Sequence, residues 1–211
     1  MTAGFQLIET MAWRPGEGYA LPRLHVERLA ASAAALGFAC DPAAVERRLG
    51  DLAASFAGPR RVRLLLHRDG AVELSDVALT PPRLPLRVAW ARSRVDSADP
   101  LLRHKTTSRA LFEAELAAAR AACEADEVLF LNQRGEVTEG SWTTLFLRRG
   151  EGLVTPPLAC GLLAGTLRRA LLEDPARCTA EAVLSREEIA VAGELLLGNS
   201  VRGLMAARLV G

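Results

Sequence analysis

The order of β-type runs, turns and helical segments limits most strongly what this chain can fold into. Residues 5–11 are β-type and are followed by a Pro-Gly-Glu-Gly turn, which predicts an opening hairpin. Apolar residues at helical spacing predict a helix over 23–38, and Asp41-Pro42 predicts the start of a second helix. The turn Asp69-Gly70 between two β-type runs predicts another hairpin. Residues 1–94 are therefore expected to form a small α/β domain.

A polar, aperiodic stretch that ends at a proline interrupts this pattern. Residues 95–100 are expected to form an interdomain linker. Beyond it, a helix predicted over 108–123 and a series of short β-type runs indicate a larger domain over 101–211. The predicted fold class is therefore α+β, with a small N-terminal domain and a larger, β-rich C-terminal domain on which helices pack.

The charge balance and the apolar pattern exclude several classes of function. Lys and Arg total 26 against 25 Asp and Glu, so no excess of positive charge exists to neutralise a run of phosphates. Nucleic acid is therefore not an expected partner. No stretch approaches the roughly 18 uninterrupted apolar residues of a membrane-spanning helix. Residues 1–5 do not resemble a signal peptide, and the chain is expected to be cytoplasmic and free of membrane contact.

The cysteine pattern argues against a metal site. Cys40, Cys123, Cys160 and Cys178 stand far apart, without a Cys-x-x-Cys pair or a nearby histidine. Structural zinc sites need such closely spaced ligands. No metal is expected, and the cysteines are predicted to be buried thiols in a reducing compartment.

Lysine is almost absent from the chain. Lys105 is the single lysine, and the other 25 basic residues are arginines. A guanidinium keeps its proton at any ordinary pH, whereas a desolvated ε-amine can lose one and form a Schiff base with a carbonyl compound. Lys105 is therefore the candidate nucleophile. Composition alone favours a surface lysine left by chance in an arginine-rich chain, but the motifs around and after Lys105 favour the catalytic interpretation.

A set of short motifs runs in a fixed order along nearly the whole chain. They are Glu9-Thr10-Met11, His25-Val26-Glu27-Arg28-Leu29, Lys105 with Arg109, Asp126-Glu127, Glu139-Gly140-Ser141, Thr155-Pro156-Pro157, Gly165-Thr166-Leu167-Arg168 and Asn199-Ser200-Val201-Arg202-Gly203. In this order the chain resembles the fold-type-IV pyridoxal-phosphate enzymes, also called the class IV aminotransferase family. That family includes branched-chain aminotransferases, D-amino-acid transaminases and 4-amino-4-deoxychorismate lyases, and the motif details are most similar to those of the lyases.

The resemblance implies a pyridoxal 5'-phosphate cofactor and a catalytic lysine. Lys105 would hold the cofactor as a Schiff base and then transfer protons at the carbon beside the substrate nitrogen. Glu139 would face the pyridine nitrogen of the cofactor, the alternative being a solvated glutamate at a strand end. Arg28 would bind the phosphate through its planar fork of donors.

Further contacts with the cofactor and the substrate follow from the same resemblance. The amides of Thr166 and Leu167 would hold the phosphate, because they start a helix whose dipole favours an anion. The Ser200 hydroxyl would contact the phosphate as well, and amides of its turn would face a substrate carboxylate. The predicted substrate-binding residues are Asn199, Val201 and Arg202.

Two positions depart from the family pattern. Ala110 stands where many branched-chain aminotransferases carry a tyrosine, five positions after the lysine, so a phenol contact with the cofactor is not available there. This difference disfavours a transaminase. Thr144 stands where the family commonly has asparagine, which leaves that contact in doubt.

Three aromatic or imidazole side chains have alternative interpretations. His25 is expected to pack or cap within its helix rather than to transfer protons. His104 either tunes the surroundings of Lys105 or points away from it, because side chains alternate along a strand. Trp142, three residues beyond Glu139, is the tryptophan with a claim to the pocket.

The resemblance implies three alternatives for activity. The first is a 4-amino-4-deoxychorismate lyase, which gives 4-aminobenzoate and pyruvate for folate synthesis. The second is an aminotransferase that acts on branched-chain or D-amino acids. The third is a non-catalytic descendant that binds the cofactor, against which the presence of both Lys105 and Glu139 argues. The partners implied are a small-molecule amine and a second copy in a homodimer, and for the lyase also a functional link to aminodeoxychorismate synthase.

Overall fold

The chain forms two units in a computed structural model that describes residues 4–210. Unit 1 contains residues up to Pro81 together with His104–Ser108, and unit 2 contains Pro82–Arg103 and the residues from Arg109 onward. Residues 1–3, part of the amino-terminal segment considered above, and residue 211 lie outside the described residues.

Unit 1 is an antiparallel four-stranded sheet with two helices. The strand order is β2-β1-β3-β4, and β1 lies between β2 and β3. The elements are β1 (Leu7–Arg14), β2 (Gly18–Tyr19), α1 (Pro22–Leu36), α2 (Pro42–Ala53), β3 (Arg60–Leu66) and β4 (Val72–Ala78).

Local sequence signals explain the two helices of unit 1. Pro22 occupies the first turn of α1, and Gly37, with φ at 72°, ends the helix in the left-handed conformation that glycine adopts easily. The Asp41 side chain accepts hydrogen bonds from the amides of Ala43 and Ala44 and so caps α2. Apolar residues of both helices then pack with alternate residues of β1 and β3 in one core, which includes Leu7, Met11, Leu29, Val45, Val62 and Leu64.

The segment that carries Lys105 belongs to unit 1, although it follows β1 by almost a hundred residues. The Ile8 amide donates to the Lys105 carbonyl at 2.8 Å, and the Thr107 amide donates to the Gln6 carbonyl at 2.9 Å. Between these bonds Thr106 forms an antiparallel bridge with Leu7. The backbone of Lys105 is therefore fixed to the start of β1.

Unit 2 contains one eight-stranded mixed sheet in the order β10-β9-β8-β11-β12-β5-β6-β7. Its strands are β5 (Leu86–Val95), β6 (Glu127–Asn132), β7 (Val137–Gly140), β8 (Thr144–Arg149), β9 (Gly152–Thr155), β10 (Thr179–Glu181), β11 (Leu195–Asn199) and β12 (Gly203–Leu209). Its helices are α3 (Ala110–Cys123), α4 (Thr166–Glu173) and α5 (Arg186–Ala190). Helix α3 packs beside β5 and β6, where the ring centroids of Phe112 and Phe130 are 4.8 Å apart.

The strand β5 runs further than the sequence pattern indicates. The polar residues 92–94 and Val95, which is the first residue of the linker expected above, continue the strand and lie in the sheet of unit 2, where Arg94 and Val95 pair with β6. A polar strand end at the margin of a sheet looks aperiodic, which explains the difference. The expected domain boundaries at 1–94 and 101–211 stay a prediction.

Two absences concern the part of the chain that the structure describes. No helix within residues 4–210 is both long enough and apolar enough to span a bilayer. Among the same residues, no three His, Cys, Asp or Glu side chains come together as a metal site.

Candidate active site

The side chain that precedes Lys105 is held against helix α1. The His104 ring lies 2.9 Å from the Ser32 hydroxyl, measured from Nδ1, and Ser32 is buried. Lys105 itself is partly buried. The His104 ring thus has a hydrogen-bonding partner on α1, and whether His104 tunes Lys105 or points away from it stays a prediction.

One face of α1 meets a buried carboxylate on β1. His25, Arg28 and Ser32 recur at helical spacing, and His25 Nδ1 lies 2.5 Å from Glu9 Oε2. Arg28 donates from Nε to Glu9 Oε1 at 2.9 Å and from Nη2 to Glu9 Oε2 at 2.6 Å. Glu9 and His25 are only 2% and 1% exposed. His25 is therefore packed as expected, but its partner is on the neighbouring strand and not within its own helix.

The pair with Arg28 changes the acidity of Glu9. Burial alone would raise the pKa of Glu9, but the Arg28 charge and the hydrogen bonds from His25 and Arg28 outweigh burial and lower the pKa from 4.5 to about 2. Glu9 is therefore ionised over the whole physiological range. Its two-point contact fixes the plane of the Arg28 guanidinium, and phosphate binding by Arg28 stays a prediction.

The depressed pKa of Glu9 predicts a pH dependence of stability. A carboxyl with a lowered folded-state pKa stabilises the fold above its unfolded pKa of 4.5, and this contribution is lost as pH falls through the folded value of about 2. At about 1.4 kcal/mol per pKa unit, the contribution is roughly 3 kcal/mol. Glu9→Gln should lower the urea unfolding free energy by about this amount at pH 7, and by little at pH 2.

The exposed Glu46 of α2 provides the control for this prediction. Glu46→Gln should change the unfolding free energy by less than about 0.5 kcal/mol at either pH. If Glu9→Gln lowers the unfolding free energy by the same amount at pH 7 and at pH 2, the ion pair between Glu9 and Arg28 does not contribute as expected.

In unit 2, Glu139 lies near the end of β7 and is 9% exposed. Its Oε1 accepts a hydrogen bond from the Leu163 amide at 3.1 Å. This burial excludes the alternative of a solvated glutamate at a strand end. A buried carboxylate held by a backbone amide is suited to pairing with a cationic or protonated group.

The turn after Glu139, residues 140–143, is built around a second buried carboxylate, Glu127. Both oxygens of Glu127 accept hydrogen bonds from the turn, and the Ser141 carbonyl accepts one from Arg109. Because these residues form a turn, strand β8 begins only at Thr144. The Trp142 carbonyl accepts from Asn199 Nδ2 at 3.4 Å.

Helix α4 begins where the sequence predicted an anion-binding turn. Gly165 precedes the helix without a side-chain cap, and the first-turn amides of α4 have no acceptor four residues before them within the helix. Thr166 is buried. Arg168 anchors this turn, because its buried side chain donates to the Pro156 carbonyl at 2.9 Å and pairs with Glu181.

The turn after β11 is closed by Asn199. Its Oδ1 accepts hydrogen bonds from the amides of Val201 and Arg202, both at 3.0 Å. The sequence interpretation assigned amides of this turn to a substrate carboxylate, whereas in the structure these two amides already donate to Asn199. The assignment of Asn199, Val201, Arg202 and Ser200 to substrate or phosphate stays a prediction.

The elements of unit 2 that carry predicted site residues contact one another. A Cβ atom placed on Gly165 would stand 2.9 Å from Thr144 Oγ1, and one placed on Gly198 would stand 2.7 Å from Leu167 Cδ2. The start of β8 therefore touches the start of α4, and α4 rests on β11. Ala110, by contrast, is exposed at the first position of α3.

Comparison with known proteins decides the family. The family of amino-transferase class IV proteins matches residues 6–210. The chain belongs to the class IV aminotransferase family. The predicted resemblance is thereby confirmed, as is the α+β fold of the family.

Relatives of this class IV family member carry two kinds of name. A Schizosaccharomyces pombe protein provisionally named an aminodeoxychorismate lyase is 30% identical over 201 residues, which cover 93% of this chain and 86% of that protein. A crystal structure of a Mesorhizobium loti protein, provisionally named an amino-acid aminotransferase, is 41% identical with a TM-score of 0.91 and covers 98% of this chain and 100% of its own. The 4-amino-4-deoxychorismate lyase of Pseudomonas aeruginosa is 26% identical with a TM-score of 0.82, over 97% of this chain and 82% of its own.

Three side chains in these clusters were not among the predicted site residues. Glu9, Glu127 and Arg168 each lie in a quoted motif but had no role assigned. The usable signal was a charged residue inside or beside an apolar run, as in Leu-Ile-Glu-Thr-Met and Glu-Val-Leu-Phe-Leu. A charge in such a position must find a partner when the run is buried.

Proposed function

We propose that this class IV family member is a pyridoxal-phosphate-dependent 4-amino-4-deoxychorismate lyase. The observation that carries the proposal is Lys105, the only lysine of the chain, whose backbone is hydrogen-bonded to β1 in unit 1. A catalytic amine must stand in a defined place, and a segment paired with a buried strand gives it one. The family match adds the cofactor class to this argument.

The residues present suit each chemical group of the cofactor. A phosphate dianion needs fixed N–H donors, which the Arg28 guanidinium and the first-turn amides at Thr166 and Leu167 provide. A pyridine nitrogen that is to stay protonated needs a carboxylate, and Glu139 is a buried one. An aldehyde needs a primary amine, and Lys105 is the only side chain of that kind.

When bound, pyridoxal phosphate supplies an aldehyde that condenses with amines and a ring that withdraws electrons from the attached carbon. The residues of this chain do the rest. Lys105 would hold the cofactor until the substrate amine replaces it, and its amine would then take the proton from the carbon that bears the substrate nitrogen. Glu139 would keep a proton on the pyridine nitrogen.

In the lyase reaction, removal of that proton lets the enolpyruvyl ether bond break. The ether oxygen leaves with enolpyruvate, which takes a proton on its methylene carbon to become pyruvate, and the ring that remains becomes the aromatic product 4-aminobenzoate. Aromatisation makes the step favourable. The names of the S. pombe and P. aeruginosa relatives support this assignment, and so does Ala110, which removes the phenol found in many branched-chain aminotransferases.

The alternative is an aminotransferase for branched-chain or D-amino acids. It is favoured by one specific observation, the 41% identity to the M. loti protein named as an amino-acid aminotransferase. Both activities need Lys105 and Glu139 in the same roles. They differ in what leaves: pyruvate from a chorismate-derived ring, or an oxo acid from an amino acid.

One experiment separates the proposals. Purified protein is mixed with pyridoxal phosphate, its absorption spectrum is recorded, and aminodeoxychorismate or a panel of L- and D-amino acids is then added. Fluorescent 4-aminobenzoate with recovery of the starting spectrum supports the lyase. Conversion of the cofactor to its aminated form by an amino acid, without an aromatic product, supports the aminotransferase. Absence of the lysine-bound cofactor band would overturn both.

The remaining proposals follow from the lyase assignment. We propose a cytoplasmic homodimer with a functional link to aminodeoxychorismate synthase, whose product would be the substrate. Sedimentation equilibrium tests the dimer, and a monomer at micromolar concentration with full activity would contradict it.

A further inference from the structure

Glu127 is a buried carboxylate that the proposed reaction does not use. It is the first residue of β6, and its exposure is 0%. Three backbone amides and two hydroxyls donate to it. Oε1 accepts from the amides of Val128 and Ser141, both at 2.9 Å, and from the Ser141 hydroxyl. Oε2 accepts from the Trp142 amide at 3.0 Å and from the Thr143 hydroxyl at 2.8 Å.

These partners suit an ionised carboxylate. Backbone amides can only donate, and a carboxylate can only accept, so every contact is satisfied when Glu127 carries a charge. Burial raises the pKa of Glu127 above its ordinary value, and the hydrogen bonds from Ser141, Trp142, Val128 and Thr143 offset only part of that increase. In the ionised form the charge would be stabilised by backbone and hydroxyl dipoles, four of them from one short turn, since no basic side chain is among these five donors.

The shape of the turn depends on this carboxylate. Four of the five donors belong to residues 141–143, and the Gly140 amide closes the turn on the Thr143 carbonyl at 2.8 Å. A Cβ atom at Gly140 would stand 2.7 Å from Glu127 Oε2 and would also overlap Thr143 Oγ1. Only glycine at position 140 lets the turn come this close to the Glu127 carboxylate, and the turn surrounds that carboxylate with hydrogen-bond donors.

Both ends of the turn lead to predicted site residues of unit 2. Glu139 precedes it directly, and Thr144, which follows it, contacts Gly165 at the start of α4. A displacement of the turn would therefore shift the Glu139 backbone and with it the carboxylate oxygen that accepts from the Leu163 amide. A shift of about 1 Å in a catalytic group can cost about a hundredfold in rate.

We propose that Glu127 is a positioning residue for Glu139, acting through the turn 140–143. The proposal rests on the proposed function, in which Glu139 pairs with the pyridine nitrogen. It assigns Glu127 no contact with cofactor or substrate. Its effect on the reaction should therefore vanish once Glu139 no longer has its carboxylate.

The first test needs no cofactor. Hydrogen–deuterium exchange of the apoprotein is compared for the parent, Glu127→Gln and Glu136→Gln. Glu136 is a matched control, because it lies at the other end of the same β6–β7 hairpin and accepts hydrogen bonds from Asn132 and Arg134. Peptides over 139–144 should exchange at least about tenfold faster in Glu127→Gln alone. Equal protection in all three proteins would overturn the proposal, whatever their activity.

The second test is a double-mutant cycle with Glu139→Gln. In the parent background, Glu127→Gln should lower kcat about tenfold or more and change KM less than about threefold. In the Glu139→Gln background the same change should lower kcat less than about twofold. An equal loss in both backgrounds would show that Glu127 acts independently of Glu139 and would overturn the proposal.

A milder variant covers the case in which Glu127→Gln does not fold. Thr143→Val removes one hydroxyl donor and nearly keeps the side-chain shape, so it should show the same pattern with smaller losses. Glu136→Gln should leave kcat within about twofold of the parent. If the parent protein lacks the lysine-bound cofactor band, the proposed function is refuted. If the parent is active but Glu127→Gln lowers kcat by the same factor with and without Glu139→Gln, only the role of Glu127 is refuted.

Discussion

Replacement of Lys105 by alanine or arginine is expected to abolish both covalent cofactor attachment and turnover. Lys105 is the only side-chain amine of the protein, and arginine cannot lose its proton to form a Schiff base. Proton transfer by a positioned side chain contributes roughly 10²- to 10⁴-fold. Because attachment is lost as well, the rate should fall by at least about 10³-fold in either variant.

The single lysine makes this prediction unusually easy to check. Borohydride reduction of the loaded protein fixes the cofactor to the amine that holds it, and peptide mass spectrometry then locates the adduct. The adduct should lie on the peptide with Lys105 in the parent and be lost in Lys105→Ala. The exposed neighbour Arg103 provides the control, since Arg103→Ala should keep both the adduct and the rate within about twofold.

Small amines add a second readout. In Lys105→Ala the cofactor can still bind through its phosphate and ring contacts, and added methylamine should restore part of the proton transfer. Turnover that is unchanged in Lys105→Ala without any added amine would end the proposed function. An adduct confined to the amino-terminal amine would have the same consequence.

Elements that rest on local signals were predicted well from sequence. The Asp69-Gly70 turn forms the hairpin of β3 and β4, and the Asp69 side chain accepts from the Ala71 amide at 3.0 Å. Asp41 caps α2 as expected. In both cases the signal and the structure it specifies lie within a few residues of each other, so tertiary packing had little to override.

Elements that depend on distant pairing were not predicted. Strand β5 pairs in parallel with both β6 and β12, and nothing in 86–95 indicates these partners. The segment 104–108 joins the start of β1, which no local pattern encodes. Non-local pairing is set by which apolar faces can be buried together, and this is a property of the whole chain.

The candidate site shows the same division. Lys105 and Glu139 could be proposed from motifs, because the chemistry assigned to them restricts which residue types can serve, and their roles stay a prediction. The supporting groups Glu9 and Glu127 carried only the signal of a charge inside or beside an apolar run, which does not reveal their partners. Those partners are His25 and Arg28 on a helix for Glu9, and the amides of a turn for Glu127. Such partners become visible only once the backbone is placed.

Glu139→Gln is expected to keep the cofactor while lowering kcat about 10²-fold or more. The amide oxygen of glutamine can still accept from the Leu163 amide, which lies 3.1 Å from Glu139 Oε1, so the local structure should persist. What is lost is the negative charge that, in the proposed function, would hold a proton on the pyridine nitrogen. Electrostatic groups of this kind are worth about 10²- to 10³-fold when removed singly.

The measurement is kcat and KM for the substrate identified by the spectral experiment, together with the dissociation constant for pyridoxal phosphate. A large fall in kcat with the dissociation constant within about threefold of the parent identifies Glu139 as an electronic partner of the ring. A parallel loss of cofactor would instead make it a binding residue, and an unchanged rate would remove it from the site. Because both the lyase and the aminotransferase need the ring as an electron sink, the expected loss applies to either activity and tests the cofactor chemistry separately from the choice of substrate.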